Sequence, residues 1–156
     1  MTASLVVTRA DFADPALAEF LQAHLDDMEP TAPADSRHAL DLAGLQRPHV
    51  RLWTAVDSGA IVGTVALATL ESGHDELKSM RTDPLRRGQG VGAVLLDAAL
   101  ADARSRGVRR VSLETGSMDF FAPARRLYER AGFRPCPPFD AYTDDPNSCY
   151  FTLELS

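Results

Sequence analysis

The residues best suited to chemistry in this chain run from Arg86 to Gly92, RRGQGVG. They fall between an alternating segment, Glu76 to Thr82, and a long apolar-periodic segment that begins at Gly90. At a strand-to-helix junction the first backbone N–H groups of the helix lack internal partners, and the helix dipole is positive. Gly88, Gly90 and Gly92 let that backbone approach an anion without interference from a Cβ, and Arg86 and Arg87 add charge. The pattern describes a pyrophosphate cradle.

Three phosphate-binding readings compete, beside a fourth in which the loop holds no ligand. A P-loop ends in Gly-Lys-Ser/Thr, whereas Gly92 is followed by Ala93, so that reading fails. A dinucleotide fingerprint, G-x-G-x-x-G/A, is met by Gly88, Gly90 and Ala93, with Glu114 near the place of a ribose-binding acid. Against it, Asp83 to Arg87 separates the apolar strand from the first glycine. About 64 residues follow Gly92, too few for a second nucleotide-binding half and a substrate domain. The third reading depends on the elements around the loop.

Leu5 to Arg9 reads as a strand. Asp14 caps a helix whose first turn takes Pro15, and Leu17, Phe20, Leu21, His24, Leu25 and Met28 follow at helical spacing. A break at Glu29 to Pro33 precedes a shorter helix that starts at Asp35 or Ser36 and runs to about Leu45. Leu52 to Val56 and Ala60 to Thr69 form a hairpin about Asp57, Ser58 and Gly59. Glu76 to Thr82 is the next strand, and its alternation puts Glu76, Lys78, Met80 and Thr82 on one face. Gly90 to about Arg106 is a helix with Val91, Val94, Leu95, Ala98, Ala99 and Asp102 to Ala103 along one side. Val108 to Glu114 is a strand, Phe120 to Ala131 a helix, and strands begin at Phe133 and Tyr150. The order β-α-α-β-β-β-α-β-α-β-β describes a mixed α/β domain with an antiparallel front half and a parallel strand–helix–strand unit in the middle.

Length and composition fit a single domain over residues 1–156, with 45% hydrophobic and 24% charged residues. No apolar run approaches the roughly 18 residues of a membrane span. The segment Met1 to Ala10 lacks the pattern of a secretory signal, so the expected location is cytoplasmic, with no membrane partner. A net charge of −6 argues against a nucleic-acid partner. Cys136 and Cys149 lack metal-site spacing and read as reduced thiols, and no metal is expected.

Arg87 to Gly92 resembles the acetyl-CoA-binding motif (R/Q)-x-x-G-x-(G/A) of the GCN5-related N-acetyltransferase (GNAT) family. About thirty residues on, Ala124 to Phe133 (ARRLYERAGF) resembles the same family's A-x-x-L-Y-x-x-x-G-F signature. The element order is similar too. The resemblance implies a mixed, mostly antiparallel sheet with flanking helices, in which two parallel strands splay, here Glu76–Thr82 and Val108–Glu114. It implies acetyl-CoA as donor, with pyrophosphate held by Arg87, Gly88, Gln89, Gly90, Val91 and Gly92, and pantetheine met by the backbone of Met80 and Thr82.

By the same resemblance Tyr128 is the acid that protonates the leaving thiolate; otherwise it is a core aromatic beside Leu127. Glu76 stands where many relatives carry a basic glutamate; otherwise it is a solvated carboxylate paired with Lys78. Glu114 is a second candidate base, and it could instead bind the acceptor or support Thr115. His38 and His74 titrate near neutral pH but fall outside both motifs and read as surface residues. Phe121 occupies a position where the family often has asparagine, which puts one polar contact in doubt. Tyr142, Asp144 and Asp145 belong to a loop that either lines the acceptor mouth or is simply solvated.

The implied acceptor is a primary amine on a small molecule. An acidic acceptor side comprising Asp26, Asp27, Glu29, Asp35, Glu71, Asp75, Asp140, Asp144 and Asp145 suggests a cationic one. A protein N-terminus or lysine is the alternative within catalysis, and a non-catalytic acyl-CoA sensor the alternative outside it. Many relatives dimerise through late strands such as Tyr150 to Leu155, so monomer and homodimer are both open.

Overall fold

The computed structural model describes residues 5–28 and 42–155. Seven strands form one sheet in the order β1-β2-β3-β4-β5-β7-β6. They are β1 (Leu5–Arg9), β2 (Val50–Asp57), β3 (Ala60–Glu71), β4 (His74–Thr82), β5 (Arg110–Gly116), β6 (Arg134–Pro135) and β7 (Ser148–Glu154). Neighbours are antiparallel except β4 and β5, which are parallel. The helices are α1 (Pro15–Met28), α2 (Leu42–Leu45), α3 (Val91–Ser105) and α4 (Ala122–Arg130). This is the expected mixed α/β sheet with flanking helices. The expected start of the second helix at Asp35 or Ser36 lies outside the described residues.

Alternation sends the apolar residues of the sheet to two faces. On one face Trp53, Ala55, Val65, Leu67, Leu77, Val111 and Leu113 meet α3 and α4. On the other, Leu52, Ala66 and Ala68 meet Leu17 and Leu21 of α1 and Leu45 of α2. The buried stripe of α3 is Val91, Leu95, Leu96, Ala99, Leu100 and Ala103. Val94, placed on that stripe by its apolar character, is 40% exposed, because the i, i+4 series from Val91 sets the contact line. α3 lies so close to β3 that a Cβ on Gly63 would stand 2.7 Å from Leu95 and 2.8 Å from Val91.

One sequence expectation fails here, with consequences for the site. Ala66 pairs with Lys78 but Thr64 pairs with Arg81, so β4 carries one residue more than β3 across that stretch. The bulge centres on Ser79, whose φ is 53°, and the Thr64 hydroxyl donates to the Ser79 carbonyl at 2.9 Å. A bulge reverses the facing of everything after it. Glu76 and Lys78 pair with Ala68 and Ala66 and face the α1 side. Met80 packs into the α3 side, and Thr82 pairs with Gly63 on that side too. The four residues therefore divide between two faces instead of sharing one.

The parallel pairing of β4 with β5 runs from His74↔Arg110 to Leu77↔Leu113 and stops. β4 continues to Thr82 on β3 alone, and β5 continues to Gly116 on β7 alone. Between them the sheet opens, and backbone groups along the opening need partners from elsewhere.

Candidate active site

The opening leads into a cleft of about 730 Å³, within the usual range of ligand pockets. Met80, Thr82, Arg87, Gly88, Gly90, Val91 and Gly92 line it. The loop is held in place from outside. Asp83 accepts from the Leu85 N–H at 3.0 Å, and Arg86 pairs with Asp57 of the β2–β3 hairpin at 2.5 Å. That guanidinium holds the Asp57 carboxyl below its usual range. Arg86 is thus engaged structurally, whereas Arg87 is exposed.

Gly88 and Gly90 have φ of 78° and 83°, and a Cβ on either would meet nothing within 4 Å. The left-handed backbone and the open space beside it are what a close-lying anion requires. Gly90 caps α3 with no side-chain bond, and the first helical bond runs from the Val94 N–H to the Gly90 carbonyl. The N–H groups of the first turn are left to a ligand.

The far wall comes from α4 and the turn before it: Phe120, Phe121, Pro123, Ala124, Leu127 and Arg130. Phe121 lies where the family often has asparagine. Its ring packs onto Gly116, so closely that a Cβ there would stand 2.1 Å from it. The Phe121 ring gives the cleft an aromatic wall at this point. Arg125 secures the turn by donating to the carbonyls of Gly116 and Met118 at 2.6 and 3.0 Å.

On the other face of the sheet Glu76 is 5% exposed, so it is not a solvated carboxylate. Its Oε2 accepts from the Tyr142 hydroxyl at 2.5 Å and from Lys78 Nζ at 3.1 Å. Lys78 also reaches the Tyr142 oxygen at 3.2 Å. Burial and the adjacent Glu76 charge push the Tyr142 phenol well above its ordinary value, so it stays a donor. These three residues, with Asp140 and Asp145, line a second cavity of about 380 Å³.

Glu114 lies just past the last β4–β5 pair and accepts from the Ser148 hydroxyl at 2.6 Å. Tyr128 is buried, with its ring 5.8 Å from that of Phe133. Burial foremost, then the Glu114 charge, raises its pKa, which keeps the phenol protonated.

The structure revises several placements expected from the sequence. His74 is half-buried, with Nε2 2.7 Å from the Ser112 hydroxyl and Nδ1 3.5 Å from Glu71, so it is not a plain surface residue. His38, Glu29 and Asp35 lie outside the described residues. Asp75 contributes nothing to an acidic surface: it is 1% exposed and paired with Arg106 at 2.7 Å. Asp27 is paired with Arg81 at 2.8 Å. Two further residues line the cleft, His24 of α1 and Arg81 of β4, the latter in sequence proximity to Arg86 and Arg87. Helical spacing placed His24 on the buried side of α1, but nothing local revealed that this side reaches the cleft. Burial first, then Arg81, lowers its pKa to about 4, so its ring is neutral at physiological pH.

A mixed sheet opened between two parallel strands, with a glycine loop at the start of the following helix, is the arrangement that the resemblance to acetyltransferases implies. Residues 16–133 match the acetyltransferase (GNAT) family, and the chain belongs to it. It is 40% identical to an uncharacterized N-acetyltransferase, YsnE, of Bacillus subtilis over 93% of this chain and 96% of that one. It is 38% identical to the IAA acetyltransferase of Azospirillum brasilense, over 89% and 88% of the two chains. A crystal structure assigned as an acyl-CoA N-acyltransferase, from Klebsiella pneumoniae, superposes with a TM-score of 0.81 at 31% identity, covering 97% of this chain and 98% of that one. The chain is an acetyl-CoA-dependent N-acetyltransferase. The open space beside Gly88 and Gly90 and the uncapped start of α3 fit that donor. Among the described residues no cluster suits a metal, and no helix is long and apolar enough to cross a membrane.

Proposed function

We propose that the chain acetylates a small primary amine by direct attack of the amine on the thioester, with Glu76 as base and Tyr128 as proton donor to the leaving sulfur. The observation that carries this reading is the opening between β4 and β5, with the glycine loop on one face and a buried carboxylate on the other. Bound acetyl-CoA supplies an activated acetyl thioester. Arg87, Gly88, Gln89, Gly90, Val91 and Gly92 hold its pyrophosphate, and the backbone of Met80 and Thr82 takes the pantetheine amides in place of the missing strand partner. The Met80 N–H donates to the carbonyl oxygen as charge develops there.

An amine is cationic at neutral pH and must lose a proton before it attacks. Glu76 accepts that proton, directly or through a water. Tyr142 and Lys78 hold one oxygen of the carboxylate, fixing its orientation. Tyr128 remains protonated at working pH, as a donor must.

A cavity of about 380 Å³ beside Glu76 favours a small acceptor over a folded protein surface. The test is release of CoA thiol with acetyl-CoA and a panel of small amines, amino acids and peptides with free N-termini or lysines. The reading predicts that small amines exceed peptides in kcat/KM. Turnover with peptides alone would move the acceptor to the protein class, and CoA binding with no turnover on any amine would make the chain a sensor.

A further inference from the structure

We infer that Arg81 is a carboxylate-binding residue of the acceptor site and that the acceptor is an amine that also carries a carboxylate. The inference rests on the acetyl-transfer reading above and narrows its substrate.

Arg81 is an unusual residue for the end of a strand. Its side chain is only 8% exposed, its Nη1 lies 2.8 Å from Asp27 Oδ2, and its guanidinium sits 5.4 Å from the centre of the Phe20 ring. Its Nε is buried with no hydrogen-bond partner among the described residues. Buried donors are nearly always satisfied, and an orphan in a native site calls for a ligand or another explanation. Arg51 Nε is also buried without a hydrogen bond, but an explanation is at hand: the Asp102 carboxylate stands 3.2 Å away. The carboxylate that Arg81 does meet, Asp27, is engaged at Nη1, 2.8 Å away, and Arg81 lines the cleft.

The chemistry of the unmet edge is specific. Nε and the neighbouring Nη of a guanidinium form a flat fork that matches the two oxygens of a carboxylate. Asp27 engages Nη1 and leaves Nε unmet. The His24 ring beside it is neutral and adds no competing positive charge. Lys78, the cation on the same face of β4, is already committed to Glu76.

Position ties Arg81 to the strand opening. It follows Met80 directly in β4, and its pairing with Thr64 puts it on the face that also carries Glu76 and Lys78.

The test compares free amino acids with the same amino acids as C-terminal amides, using acetyl-CoA and thiol release. The acids should exceed the amides in kcat/KM by about tenfold or more, because an amide leaves the fork unpaired. Arg81→Met should bring the acid-to-amide ratio near one. Asp27→Asn, which frees the guanidinium from its own carboxylate, should lower the KM of the acids. Amides that match the acids, or a ratio that survives Arg81→Met, would overturn the inference while leaving amine acetylation intact. A second readout does not need turnover: calorimetry of an N-acetylamino acid and its amide on the CoA-saturated protein. Preferential binding of the acid, lost in Arg81→Met, supports the site even if no amine is acetylated, a result that would refute only the broader reading. Equal binding of acid and amide overturns the inference.

Discussion

The Tyr142 hydroxyl lies 2.5 Å from Glu76 Oε2, tying a loop residue to a carboxylate buried on β4. The Phe139 ring stands against Tyr142 at 5.1 Å, and the Tyr150 hydroxyl donates to the Thr143 carbonyl at 2.8 Å. The loop is thus fastened on both sides of the tyrosine. If Glu76 is the base, its orientation depends on a residue 66 positions away in the chain. Tyr142→Phe should lower kcat about tenfold, and Glu76→Gln by about a hundredfold or more, with acetyl-CoA affinity kept in both. Steady-state kinetics beside a cofactor titration check this. A Glu76→Gln protein with unchanged kcat would remove the carboxylate from the mechanism.

Tyr128→Phe separates a proton donor from a packing residue. The phenyl ring keeps the contact with Phe133, so the melting temperature should change little. A donor role predicts a fall in kcat of about ten- to a hundredfold with acetyl-CoA affinity unchanged. If kcat is retained, the residue serves the core alone.

His24 gives the fold a pH dependence of predictable sign. Its pKa is lowered from 6.5 to about 4 in the native protein, by burial first and then by Arg81, against an opposing pull from Asp27. At pH 7 the ring is neutral in both native and unfolded chains. As pH falls below 6.5 the unfolded chain binds a proton that the native protein refuses until about pH 4. Stability should therefore drop across that window, by up to about 3 kcal/mol from this group. Urea unfolding of wild type and His24→Gln at several pH values isolates the contribution. The two proteins should diverge in slope between pH 6.5 and 4, and parallel slopes would contradict the shift.

Gly63 is required by the approach of α3 to the sheet. A Cβ there would also stand 2.9 Å from the Arg81 carbonyl, a backbone atom that cannot rotate away. Gly63→Ala should cost about 2 kcal/mol or more, measured by denaturant unfolding. It should also weaken acetyl-CoA binding, since Val91, the first residue of α3, is among the displaced neighbours.

Most of the fold was legible in local sequence, and so was the glycine loop between β4 and α3. The loop could be read because its requirements are local: glycines at positive φ, a helix start and neighbouring charge. The strand edges and α1 follow from alternation, helical spacing and caps. The facing of β4 could not be read, because the bulge at Ser79 arises from pairing with β3 and its sequence, Lys78 to Arg81, alternates plausibly without it. The contacts of Glu76 with Tyr142, of Arg81 with Asp27 and of Asp75 with Arg106 span distant segments, and spacing along the chain carries no information about them. For the same reason two members of the acidic surface expected from composition, Asp27 and Asp75, are engaged with arginines.

The central claim is that the loop from Arg87 to Gly92 binds acetyl-CoA, and calorimetric titration tests it most directly. Gly90→Glu places a side chain at φ 83° and a negative charge where the phosphates belong. Wild type should bind acetyl-CoA in the micromolar range, about −8 kcal/mol, and should not bind NAD. The variant should lose acetyl-CoA binding while remaining folded. Equal binding by the two proteins, or none by wild type, would contradict the assignment of this loop.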